Sequence, residues 1–134
     1  MTLTSVYPVL MSDDVTAAAQ FYREHLGFAP TFVSDWYVSL RRDTWELAIL
    51  DPTHETVPEA YRGRAAAGIL INLEVEDVDA EYDRLVTHGG LIAVLPIRSE
   101  AFGQRHFIVA APDGVLVDVI TPTEPDQTHA AQFA

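Results

Sequence analysis

Apolar positions along the chain change rhythm from element to element, and the changes occur twice in the same order. From Asp14 the residues Val15, Ala18, Ala19, Tyr22 and Leu26 fall at helical spacing, which predicts an amphipathic helix ending near Leu26. Ser12, Asp13 or Asp14 can cap its first free amides, and Gly27 can take the left-handed conformation that closes its last turn. Val6 to Met11 reads as a short strand before it. The second unit begins with the strand-like run Gly68 to Val75, after which Asp77 opens a helix that turns Val78, Tyr82, Leu85 and Val86 inward. Gly89-Gly90 stops that helix. Asp14-Val15 matches Asp77-Val78, Ala17 matches Ala80 and Gly27 matches Gly90 at one constant offset, so the plan is duplicated.

After each helix the period shortens to β-rich runs: Thr31 to Leu40 and Trp45 to Leu50 in the first half, then Ile92 to Arg98, Arg105 to Ala110 and Val115 to Thr121 in the second. Each half therefore reads βαβββ. Pro112-Asp113-Gly114 has the chemistry of a tight turn between the last two strands. The expected organisation is a single domain of two modules, about 4–51 and 68–122, with a linker at 52–67 and a loose tail at 123–134. A helix covers only one face of a sheet, so the expected fold is α+β, with a curved mixed sheet enclosing a cleft.

Composition narrows the chemistry. The chain has no cysteine, which removes disulfides, thiolate metal sites and cysteine nucleophiles. Its formal charge of −12 repels phosphate backbones and anionic lipid, so neither nucleic acid nor membrane is expected as a partner, whereas a cationic small molecule is compatible. No signal-like start and no apolar run of about 20 residues is present, and the expected location is cytoplasmic. A glycine-rich phosphate loop, a G-x-S-x-G elbow and a dinucleotide fingerprint are all missing from the sequence.

Ser12-Asp-Asp14-Val, Phe21-Tyr22 and Leu26-Gly27-Phe28 resemble the opening signature of the glyoxalase/bleomycin-resistance/dioxygenase (vicinal oxygen chelate) superfamily. The stretch Gly103-Gln-Arg-His-Phe-Ile-Val-Ala-Ala-Pro-Asp-Gly114 with Val117-Asp-Val119 resembles the closing one, and Ala111 departs from it where the family usually carries Asp. The resemblance covers about residues 4 to 122. It implies the two-module fold, a homodimer, and in the enzymes of the family a divalent metal (Mg, Mn, Zn, Ni or Fe) held by two ligands from each half and acting as a Lewis acid. Carried onto this chain, the four ligand positions fall on Tyr7, Glu46, Leu70 and Asp118, with Ala48 replacing Glu46 if the alignment shifts by two residues. Only the two carboxylates, Glu46 and Asp118, are ordinary metal ligands, so the resemblance implies an incomplete site.

The residues expected to touch a ligand are Tyr7, Trp36, Glu46, Asn72, Phe102, Gln104, His106 and Asp118. Glu46, Asn72 and Asp118 interrupt apolar strands, where a polar group must be paired or face a wet cleft; ordinary solvent-facing positions are the alternative. His106 lies beside Phe102 and Gln104 in a segment that can close over a ligand, or it is a structural histidine. Trp36, Tyr37 and Trp45 can stack on a planar or cationic molecule, or pack in the core. His25 and His88 sit where helix C-termini favour them, and His54 in the linker and His129 in the tail have no constellation around them. Two functions follow from the resemblance. One is a binding protein, of the antibiotic-resistance kind, that takes up a small cationic or aromatic molecule without a complete metal site. The other is a metal-dependent lyase, isomerase or dioxygenase.

Overall fold

The structure is a computed structural model that describes residues 1–133, and it has the α+β architecture of two βαβββ halves. It divides into two compact units, Met1–Gly68 with Ala111–Gly114, and Ile69–Ala110 with residues 115–133. Among the described residues no helix is long and apolar enough to cross a membrane.

The first unit contains β1 (Val9–Met11), α1 (Val15–Leu26), β2 (Ala29–Val33), β3 (Tyr37–Arg42) and β4 (Trp45–Leu50). Its sheet has the order β1-β4-β3-β2, with β1 parallel to β4 and the other pairs antiparallel. The helix starts as expected, because the Asp14 carboxylate accepts the Ala17 amide at 3.0 Å. It ends on Gly27 at φ 72°, where the Arg42 guanidinium donates to the Leu26 carbonyl at 2.8 Å and a side chain on Gly27 would press on that same guanidinium. Val38, Leu40, Leu47 and Ile49 are buried with Leu10 on one face of the sheet, while Val9, Met11, Tyr37 and Leu50 belong to the other.

The run Thr31 to Leu40 is two strands. Ser34 breaks it, its hydroxyl accepting the Tyr37 amide at 2.9 Å and lying 2.8 Å from the Tyr37 carbonyl, so Trp36 sits in the bend instead of on a strand. Residues 52–67 fold into the first unit with a short 3₁₀ turn, Glu59–Tyr61. Val57 is buried there, and the Arg62 guanidinium donates to the Val57 carbonyl at 2.7 Å. The Ala111–Gly114 turn also belongs to this unit: the buried Ser12 hydroxyl donates to the Asp113 carboxylate.

The second unit repeats the plan with β5 (Leu70–Glu74), α2 (Val78–Tyr82), β6 (Ala93–Glu100), β7 (Gln104–Ala110) and β8 (Leu116–Pro122), in sheet order β5-β8-β7-β6. Asp77 caps α2 through the Ala80 amide at 3.1 Å, as Asp14 caps α1. The Thr121 hydroxyl accepts the Val78 amide at 3.0 Å and donates to the Val75 carbonyl at 2.8 Å, fastening the helix start to β8. After Tyr82 the helix loosens into a π-type turn, Asp83–Thr87, before Gly90 at φ 77° stops it. A short helix α3 (Gln127–Ala130), capped by Asp126, follows β8.

Candidate functional site

On the face of the first sheet opposite Leu10 and Ile49, alternation brings Val9 and Met11 of β1 beside Leu50 of β4 and Tyr37 of β3. With Phe32, Trp36 and Thr56 they line a pocket of about 510 Å³. Three aromatic rings contribute to it, with Tyr37 in contact with the other two. Phe32 and Tyr37 meet edge to face at 6.0 Å, and Trp36 lies 5.6 Å from Tyr37. The far wall comes from the segment expected to be a linker. His54 stacks flat on Trp36, with ring centres 3.8 Å apart and planes 8° from parallel. Trp36 was expected at a ligand site and lines this pocket; Phe32, Thr56 and the supporting His54 were not foreseen.

The second sheet carries a polar cluster. Phe107 packs edge-on against Tyr82 of α2 at 5.1 Å, so its neighbour His106 points to the opposite face of the sheet. Asp118 of β8 pairs in register with Ile108 of β7 and with Asn72 of β5, which places it on the same face as His106. The His106 ring lies between two carboxylates, Nδ1 at 2.8 Å from Asp118 Oδ1 and Nε2 at 2.9 Å from Glu100 Oε2. Arg98 holds the Glu100 carboxylate from outside, its guanidinium 3.1 Å away. His106 and Asp118 are only 5% and 4% exposed, so this is a buried network.

Ionised carboxylates only accept, and a neutral imidazole has one N–H, so both short contacts are satisfied together only when the triad holds one extra proton, most simply as an imidazolium. Burial pulls the His106 pKa down, but the hydrogen bonds from Glu100 and Asp118 and their charges outweigh it and raise it above the usual histidine value. The hydrogen bond with His106, followed by that with Arg98, lowers the Glu100 pKa.

The other expected residues have separate surroundings. Phe102 lies 6.5 Å from the His106 ring, edge to face, and Gln104 pairs with Glu100 across the β6–β7 hairpin. Tyr7 is largely exposed. The Glu46 carboxylate accepts the Ser5 hydroxyl at 2.7 Å and the Arg41 guanidinium at 2.8 Å, and these bonds lower its pKa. In the second sheet Asp118 lies opposite Asn72, and the parallel strands of the first sheet put Ala48 opposite Val9 in the equivalent place. By strand register the counterpart of Asp118 is thus Ala48.

The donor set does not fit a divalent ion. Leu70 has no donor, Ala48 has none, Glu46 is engaged by Arg41, and Asp118 is engaged by an imidazole whose two nitrogens are both turned to carboxylates. Among the described residues no group of three or more His, Asp or Glu side chains is arranged to hold a metal.

Solved structures share the fold. A lactoylglutathione lyase from Agrobacterium tumefaciens superposes with a TM-score of 0.71 at 19% identity, covering 90% of this chain and 96% of its own. A glyoxalase/bleomycin resistance protein/dioxygenase from Nocardioides gives 0.74 at 17% identity, over 92% of this chain and 87% of its own. The bleomycin-binding protein of bleomycin-producing Streptomyces verticillus, solved with copper(II)-bleomycin, gives 0.65 at 25% identity, over 92% and 99%. Among curated protein sequences there is no significant match. The sequence profile of one family spans residues 4–119, most of the chain. With the duplicated βαβββ plan beneath it, that match places the protein: it belongs to the Glyoxalase/Bleomycin resistance protein/Dioxygenase superfamily.

Proposed function

We propose that the protein binds a small molecule through an apolar or aromatic group and works by holding it. The observation that carries this reading is the pocket on the first sheet, whose volume of about 510 Å³ falls within the usual range for small-molecule sites and whose walls are almost wholly apolar. The poor metal donor set supports binding over metal-assisted chemistry. The bleomycin-binding protein of Streptomyces verticillus, one of the structural neighbours, is a precedent within this fold for retention of a small molecule. We read the chain as one domain of two modules acting in the cytoplasm as a homodimer, for which light scattering at micromolar concentration is the check.

Tryptophan emission gives a direct test, since Trp36 lines the pocket and Trp45, the other tryptophan, is exposed at the start of β4. In a Trp45→Phe background, titration with the uncharged fluorophore N-phenylnaphthylamine is expected to quench Trp36 saturably while the emission of the fluorophore rises. Tyr37→Ala is expected to weaken binding about threefold to tenfold, the worth of one aromatic contact. No saturable binding of apolar or aromatic molecules would refute the reading.

A further inference from the structure

We infer that the group admitted to this pocket is an uncharged planar ring, and that His54 is the residue that positions Trp36 to receive it. The inference rests on the binding reading above and narrows it to one class of ligand.

None of the seven lining residues is ionisable near neutral pH, and the only side-chain polar atoms among them are the Trp36 N–H and the Tyr37 and Thr56 hydroxyls. The Thr56 hydroxyl is already engaged, 2.9 Å from His54 Nδ1. A cation entering this space would shed water with no carboxylate among the lining residues to replace it. The overall charge of −12 does not compensate, because solvent screens exposed charges beyond about 8 Å at physiological ionic strength. Asp51 is next to the pocket in sequence but is not among its lining residues, and Oδ1 of its carboxylate is turned to its own loop, accepting the Thr53 amide and hydroxyl at 2.8 Å each. The three rings do not form a cage for a quaternary ammonium either. One face of Trp36 is covered by His54, and Phe32 and Tyr37 are turned edge to face. What remains is an uncharged space lined by three rings and by the side chains of Val9, Met11, Leu50 and Thr56, which suits a flat neutral group.

His54 is fixed for its task. The Thr56 amide donates to its Nδ1 at 3.2 Å, which requires that nitrogen to be unprotonated. Its backbone is held at both ends, the His54 amide on the Asp51 carbonyl at 3.1 Å and the Val57 amide on the His54 carbonyl at 3.0 Å. The Asp51 amide in turn donates to the Trp36 carbonyl at 2.9 Å, so the loop and the indole it supports are tied by backbone as well as by stacking.

The test compares three planar fluorophores on the whole protein: N-phenylnaphthylamine (neutral), proflavine (cationic) and anilinonaphthalene sulfonate (anionic). The neutral one is expected to bind tighter than either charged one by about tenfold or more, the consequence of uncompensated charge burial. Proflavine or the sulfonate binding as tightly as the neutral compound would overturn the ligand class while leaving a binding function intact, whereas failure of all three would remove both. In the Trp45→Phe background, His54→Ala is expected to change the Trp36 emission and to weaken N-phenylnaphthylamine about threefold, while His54→Phe, which restores a ring to the stack, recovers the affinity. Unchanged emission and affinity in His54→Ala would overturn the role of His54.

Discussion

His106 Nδ1 lies 2.8 Å from Asp118 Oδ1, both side chains buried in the second sheet, with Glu100 completing the bridge at Nε2. Asp118→Asn leaves the imidazolium with one carboxylate partner, Glu100, in place of two, and its amide oxygen can still accept from Nδ1. It is therefore expected to cost on the order of 1 to 2 kcal/mol in chemical denaturation at neutral pH.

His106 and Glu100 give the stability a pH dependence that can be read from both sides. The pKa of His106 is raised in the folded state, so its contribution is complete below the ordinary histidine value and is lost as pH rises through the raised folded pKa. The pKa of Glu100 is lowered, so its contribution is complete above the ordinary carboxylate value and is lost as pH falls through the lowered folded pKa. NMR titration of His106 should show the raised midpoint, and Asp118→Asn should lower it. A His106 midpoint below the ordinary value would contradict the bridging arrangement.

A metal-binding experiment separates this triad from a metal centre. Calorimetric titration of the protein with Mn²⁺, Ni²⁺ or Zn²⁺ is expected to show no stoichiometric uptake, and chelator treatment should leave both thermal stability and N-phenylnaphthylamine binding unchanged. Stoichiometric uptake abolished by Asp118→Asn would overturn the donor-set argument and favour the enzymatic reading.

Tyr22 is fully buried on α1 between Phe21 and Phe28, and its hydroxyl has no hydrogen-bond partner among the described residues. Burial pushes its pKa up to about 12. Tyr22→Phe removes an unsatisfied group without opening a cavity and is expected to stabilise the protein by about 1 kcal/mol, measured as a higher denaturation midpoint. A destabilised variant would mean that the hydroxyl is satisfied in solution.

Asp113 is held at φ 68° in the turn that closes on Ser12, and its pKa is raised by burial, with the nearby charges of Asp13 and Asp14 adding to the rise. A raised carboxyl favours the folded state when protonated, so its contribution is present below the ordinary aspartate value and is lost as pH rises through the folded pKa. Asp113→Asn keeps a residue tolerant of positive φ and an acceptor for Ser12. At pH 7 it is expected to be more stable than the parent, read as a higher denaturation midpoint, with the difference closing in acid.

The elements legible in the sequence were those with local chemistry. Asp14 and Asp77 cap their helices, Gly27 and Gly90 stop them, and Pro112-Asp113-Gly114 turns the chain, all within a few residues of the groups they satisfy. The β2–β3 bend was hidden because Ser34 makes it with two hydrogen bonds inside a stretch otherwise rich in β-formers. The site was less legible because it depends on register. His106 and Asp118 stood out separately, but their contact arises only once β7 and β8 pair Ile108 with Asp118. Glu100 ends β6 and looks like a loop acid until the hairpin folds it back. His54 seemed isolated because its partner, Trp36, is on the far side of two strands in sequence.

The most direct measurement is an NMR titration of the two indole N–H signals with N-phenylnaphthylamine. The expected result is a saturable shift of the Trp36 signal with Trp45 unmoved, and its loss in Tyr37→Ala at the same ligand concentration. A Trp36 signal that stays in place while the ligand binds, or a shift confined to Trp45, would contradict a ligand pocket on the first sheet.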